Sequence, residues 1–276
     1  MDKKYEFIRD TKITVNGHDL YRIKAVRDVL NSETGELVAS AGELGGYIEN
    51  EINLGHEYGS WISGDAKVYG KATVNGDALV YGEAQVYGYA EIYGDAKIYG
   101  DSIVCGEARV YCYAEIYDYA VIFGNVEIYG NAKIFGNAKV YNSAQVYEDA
   151  RVYGYAKVYD YAEVCSNSEI YDDARIYDSS YIHGNAKVYG DAQVFGSAGV
   201  SDYAVVYGNA RIYGDASVSS KARIYGHAEV YDEASVNGSA KIYDHAIICS
   251  DANISGKSEI FGTAVIDNIV VDEDRC

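Results

Sequence analysis

His227 and His245 lie 18 residues apart with Asp244 beside the second, and two imidazoles brought together at that interval can share a proton or fill two positions of a metal ion. A tetrahedral site needs further donors. Neither this pair nor His18, His56 and His183 has them at ligand spacing, so no metal and no cofactor is expected. Cys105, Cys112, Cys165, Cys249 and Cys276 are odd in number and contain no C-x-x-C pair, which reads as free thiols in a reducing compartment. No nucleophilic triad or phosphate-cradling glycine loop stands apart from the background. What stands out is recognition chemistry: 31 Tyr, and 42 acidic against 23 basic side chains. The resulting net charge of -19 argues against direct binding of nucleic acid or of an anionic membrane, since phosphate neutralisation needs clustered cations. Met1 to Asp10 lacks the apolar core of a secretory signal, and no apolar run approaches the roughly 18 residues of a span, so a cytoplasmic location is expected.

The elements that must position these residues come from a repeat. Ser63 to Ile266 divides into 34 consecutive hexads without insertion or deletion, such as SGDAKV at Ser63 and YGNARI at Tyr207. The sixth position is Val or Ile in all 34, and the fourth is Ala in 29, the exceptions being Ser102, Val126, Ser168, Ser180 and Ser258. No helix has a period of six, and a plain alternating strand would not be interrupted by Gly, Asp or Asn in each hexad. The pattern predicts a short strand centred on the branched residue and then a corner, with three hexads closing a triangular coil of 18 residues. Val or Ile points inward from each flat face and Ala inward near the corner, while the second and third positions make the turn, which calls for a positive φ that Gly, Asn and Asp tolerate. Parallel stacking at ~4.8 Å gives roughly 11 coils. Complete absence of Pro fits, because Pro would remove a ladder donor.

Every third hexad falls on the same face, so the outward columns can be read directly. The first position of each hexad points outward, and one column runs Tyr81, Tyr99, Tyr117, Phe135, Tyr153, Tyr171, Tyr189, Tyr207, Tyr225, Tyr243, Phe261. Such a ladder gains ring contacts worth about 0.5 to 1.5 kcal/mol per pair and stiffens the fold. It also offers a candidate aromatic binding face, carried by its nine tyrosines. Carboxylates concentrate at corners: Asp65, Glu83 and Asp101 on one edge, and Asp160, Asp178, Asp215, Asp232, Glu233 and Asp251 on another, the candidate acidic binding edge. Their simplest role is turn formation and solubility; their sharper one is imitation of phosphate rows to attract a basic partner.

The hexad of Ile or Val, any residue, Gly, Asp or Asn, Ala, any residue resembles the repeat of left-handed parallel β-helix proteins, over about three quarters of the chain. Leu20 to Ala72 further resembles the front end of hexapeptide-repeat proteins common in bacteriophages and prophages, mostly of unassigned function. The resemblance implies a left-handed winding and a phage or prophage setting. It also raises acyltransferase and metal-dependent carbonic anhydrase activities, which in those enzymes rely on loops that break the coils; here no loop interrupts the hexads.

The expected organisation is therefore an all-β, left-handed parallel β-helix over 63–266, preceded by a β-rich cap over 1–62 and followed by a tail over 267–276. In the cap, Lys12 to Val15, Asn16-Gly17 and His18 to Val26 read as a hairpin, and Gly45-Gly46 precede a transition in which Ile62 is already inward. The tail, with Ile269, Val270 and Val271, is expected to fold back over the last coil or to mediate homo-oligomerisation. The leading functional expectation is a non-enzymatic rigid acidic scaffold that occludes a host protein, in one version a nucleic-acid-handling protein met by DNA mimicry or as an anti-defence inhibitor. A self-assembling structural or virion-associated rod is the alternative, and an acyltransferase-like enzyme the third reading.

Overall fold

The computed structural model describes residues 3–272, which fall into two compact units, Met1–Gly136 and Asn137–Cys276. Cys276 and the rest of the tail beyond Asp272 lie outside the described residues. Both units are all-β and wind as a parallel β-helix with three flat sheets each; a single 3-10 turn, Glu51–Asn53, is the one helical element among the described residues.

The first unit opens with β1 (Tyr5–Val15) and β2 (His18–Ala25), paired antiparallel with Val15 opposite His18. Asn16 and Gly17 both hold positive φ, 51° and 84°, which matches the right-handed twist of a two-residue hairpin. The hairpin is longer than its sequence signal, running back to Tyr5 through an irregularity between Ile8 and Ile13. A second small hairpin joins β3 (Val29–Leu30) to β4 (Leu37–Ala39). β5 (Leu44–Ile48) then makes the transition: it pairs antiparallel with β2 on one side and parallel with Lys67–Val68 on the other. Trp61–Ile62 pairs parallel with Leu79–Val80, and Leu54 bridges Val74, so coil winding is under way ahead of Ser63. Gly45 and Gly46 permit the close approach, since a Cβ on Gly45 would lie 2.5 Å from Ile23 Cγ1 and 2.7 Å from the Ile62 carbonyl oxygen.

Within each unit the outward residue of one coil donates its amide to the carbonyl 17 positions on, as in Lys97 N to Ala114 O and Lys157 N to Ala174 O, both 2.9 Å. Inward Val, Ile and Ala are fully buried along most of both units, each branched side chain worth about 1.5 to 3 kcal/mol. The four serines that replace Ala stay buried because each hydroxyl donates to the carbonyl three residues back, Ser168 Oγ to Cys165 O at 2.7 Å being typical. Corners take positive φ at the second hexad position. Gly is the default there: a Cβ on Gly106 would stand 2.6 Å from the Gly124 nitrogen. Where Asp replaces it, the carboxylate accepts the amide one coil further on, as Asp118 does from Gly136 and Asp172 from Gly190. In the second unit Val270–Asp272 pairs with Asn253–Ser255 in a coil one residue short, continuing the winding and not folding back over it.

Candidate functional site

The ladder tyrosines are half-buried in both units. In the first, Tyr81, Tyr99, Tyr117 and Phe135 stack with centroids 4.8, 4.9 and 4.9 Å apart and planes within 3° of parallel. In the second, Tyr153, Tyr171, Tyr189, Tyr207, Tyr225 and Tyr243 stack in sequence at 4.7–5.0 Å, with Phe261 at 5.3 Å from Tyr243. Each inner ring has both faces covered by its neighbours, so only edges and hydroxyls face outward. Stacking a flat ligand on them would require prising the ladder apart. Burial pushes the Tyr171 phenol up to about 12, helped by its Tyr189 and Tyr153 neighbours.

The openly exposed tyrosines of the coils are others, and of the ladder only its last ring, Phe261, is as open. Tyr89, Tyr113 and Tyr119 in the first unit and Tyr155, Tyr161 and Tyr203 in the second are 56–70% exposed. All occupy the third hexad position, at corners, where the repeat otherwise carries small or polar residues, and that substitution is the sequence signal for them. Carboxylates stand beside several of them, Asp118 before Tyr119, Asp160 before Tyr161 and Asp202 before Tyr203.

The six residues of the acidic edge share one corner of the second unit but divide into two kinds. Asp160 Oδ1 accepts from Asn142 Nδ2 at 2.7 Å, and Asp178 and Asp232 accept the Gly196 and Ser250 amides at 3.0 and 3.3 Å. These three hold the corner. Asp215, Glu233 and Asp251 sit on three successive coils, and among the described residues their carboxylates have no partner. They are exposed and form a row of like charge.

Enzyme-like constellations are sparse. A groove of about 470 Å³ in the first unit lies between the β3–β4 hairpin and the face bearing Leu79, Lys97 and Glu115. Two of its four carboxylates pin the hairpin: Asp77 accepts from the Ser32 amide at 2.7 Å, the Gly59 amide at 2.9 Å and the Ser32 hydroxyl, and Asp95 accepts from Asn31 at 3.2 Å. His227 and His245 do meet, stacked at 4.9 Å, but are exposed. No group of three or more His, Cys, Asp or Glu among the described residues is placed to hold a metal ion. Cys165 is buried and donates to Tyr181 Oη at 3.3 Å, and Cys105, Cys112, Cys165 and Cys249 are free thiols. Among the described residues no helix is long and apolar enough to cross a membrane.

The least expected cluster is in the cap. Lys4 is fully buried, its Nζ donating to the Ser60 carbonyl at 2.7 Å and the Ser60 hydroxyl at 3.0 Å. Burial, with the nearby Arg27 charge, lowers its pKa to about 7 against an upward pull from Asp77. The Lys4 amide donates to His56 Nδ1 at 3.2 Å, and His56 stacks on Tyr5 at 4.6 Å. His56 Nε2 and Trp61 Nε1 are buried without a hydrogen-bond partner. No protein-family model matches this chain, and no curated protein matches it.

Proposed function

We propose that this chain is a non-enzymatic, rigid, acidic binding scaffold of phage or prophage type that works by covering a surface of a host protein. The observation that carries this reading is the set of corner tyrosines standing more than half exposed beside carboxylates, on coils whose backbone is fixed by parallel ladders. Tyrosine presents a large contact area at low entropy cost, and adjacent carboxylates select a basic partner and speed its approach. A nucleic-acid-handling protein has the required surface, and the unpaired row of Asp215, Glu233 and Asp251 is the part of the acidic edge free to imitate phosphates. A self-assembling structural role is the second reading; exposed Val265, Ile269 and Val270 in the second unit favour it.

The test is capture from host lysate with stepwise salt elution, using the intact protein, a Tyr155→Ser/Tyr161→Ser/Tyr203→Ser variant and an Asp215→Asn/Glu233→Gln/Asp251→Asn variant. A basic partner released by moderate salt and lost by either folded variant supports the proposal. A partner retained equally by both sinks it. Concentration-dependent sedimentation of the protein alone, with no partner captured, transfers the reading to self-assembly.

A further inference from the structure

Parallel strands place the outward fifth residues of successive hexads directly opposite one another, where unlike charges stabilise and like charges destabilise. One face of the second unit breaks that rule over three coils and carries no carboxylate in register over five. Its register sets Lys139 opposite Lys157, Lys157 opposite Arg175, Arg175 opposite Gln193 and Gln193 opposite Arg211. The first carboxylate in the row is Glu229, which lies 3.6 Å from Arg211. Among the described residues Lys139, Lys157 and Arg175 make no ion pair. Lys139, Lys157 and Arg175 thus gain nothing from cross-strand charge pairing and have no role in the winding.

The strip has a fixed pitch. Rings stacked beside it, Tyr141 on Tyr159, Tyr159 on Tyr177, Tyr177 on Phe195 and Phe195 on Tyr213, repeat at 4.8–4.9 Å, so the strand positions that carry the cations recur at that interval, with Gln193 as the one neutral step. Gln193 Oε1 accepts from Tyr177 Oη at 3.3 Å. Carboxylates border the strip at both corners, Asp173 and Asp191 on one side and Asp160 and Asp178 on the other. Exposed Tyr155 and Tyr161 flank Lys157.

We infer that this strip binds a single chain of an acidic oligosaccharide carrying one carboxylate per sugar. One six-membered sugar ring is about as long as the strand spacing of ~4.8 Å, so a linear chain laid along the strip passes about one ring per coil. Duplex phosphates advance by roughly 3.4 Å per strand, out of step with the cations, and a duplex would press its second strand against the bordering carboxylates. Those carboxylates suit a sugar chain instead, because they accept hydrogen bonds from its hydroxyls while the cations meet its acids. The corner tyrosines, unlike the ladder rings, have open faces for the apolar side of a sugar.

The experiment is titration calorimetry of the intact protein at about 20 mM salt, where exposed charges act beyond 10 Å. The probes are pentameric oligogalacturonate, its methyl ester, oligo-dT and oligoglutamate. Oligogalacturonate is expected to bind, the ester to lose binding, and Lys157→Gln/Arg175→Gln to weaken it by about tenfold. Lys97→Gln, on the first unit, should leave it unchanged. The double variant should remain folded with an unchanged or raised Tm, since it removes like-charge repulsion. Absence of oligogalacturonate binding, equal or tighter binding of oligo-dT or oligoglutamate, or full affinity in the folded double variant would each overturn the inference.

Discussion

The cap of the first unit and the coils it adjoins are stabilised by opposite means. The coils bury Val, Ile and Ala in interchangeable positions, and their exceptional serines satisfy themselves locally. The cap buries Lys4, Asn53 and Ser60, each with individual partners, is pinned by the coil residue Asp77, and leaves His56 Nε2 and Trp61 Nε1 without any. A coil can lose one contact and keep its ladder to the neighbours. Each cap contact exists once, so the cap should be the cooperative weak point and the place where single substitutions speak loudest.

The largest effect should come from Gly45→Val. Its Cβ would press on Ile23, on the Ile62 carbonyl and, at 2.9 Å, on Trp61 Cζ2, and the expected cost is about 3 kcal/mol. Because Trp61 is the only tryptophan and is buried there, its fluorescence should shift as the cap loosens while far-ultraviolet dichroism of the coils persists. The control is Gly199→Ala in the second unit, whose new methyl meets only the Tyr181 carbonyl oxygen, at 4.0 Å, and should be neutral or slightly stabilising. Equal losses at both sites would erase the distinction between cap and coil.

Next in size is the response to pH. Lys4 is a base whose pKa is depressed on folding to about 7, so between pH 7 and its unfolded value near 10.4 the unfolded chain holds the extra proton. Cap stability should therefore rise with pH, by on the order of 2 kcal/mol from pH 7 to pH 9, and Lys4→Met should flatten that rise. His56 acts in the same direction at lower pH. Burial lowers its pKa, with Glu51 opposing and Lys4, Lys3 and Arg27 reinforcing, and protonating Nδ1 would also remove the acceptor of the Lys4 amide. Stability should thus fall further as pH drops through about 6.5. Denaturant titrations followed by Trp61 fluorescence measure both; a pH-independent midpoint contradicts the buried-base account.

Asp77→Ala should cost about 1 to 2 kcal/mol by stranding the Gly59 and Ser32 amides, against a few tenths for Asp215→Ala, an exposed third-position Asp at a corner. The pair also marks what could be read from the sequence. Winding, coil length, inward residues and ladder registers follow from the hexad because the same hexad forms them 34 times. Asp77 looks like any other third-position Asp in NGDALV, and nothing in that hexad announces the Ser32 loop that folds onto it from 45 residues upstream. Lys4 is similarly silent, since a lysine in a charged N-terminal stretch reads as exposed. Of the candidate site, the ladders and the acidic corner were legible as columns, but whether a column displays ring faces or carboxylates depends on stacking and corner hydrogen bonds. The cation strip is legible at intervals of 18 from Lys139, but that its members lack ion pairs depends on the register and on side-chain reach.

The smallest effect is also the one that separates a structural surface from a functional one. On a second face of the same unit, Glu169 meets Lys187 at 3.1 Å and Lys241 pairs with Glu259, so charges there partly neutralise one another. Breaking such an exposed pair with Lys187→Gln should lower stability by about 0.2 to 0.5 kcal/mol. Lys157→Gln on the cation strip should raise it by a similar amount, because its neighbours in register are Lys139 and Arg175. Opposite signs from one chemical change, measured as denaturation midpoints at low salt and converging at about 1 M, would show that the strip is maintained at a cost to the fold. A loss of stability in both variants would make the strip an ordinary part of the ladder, and would leave its four cations without a reason that binding needs to supply.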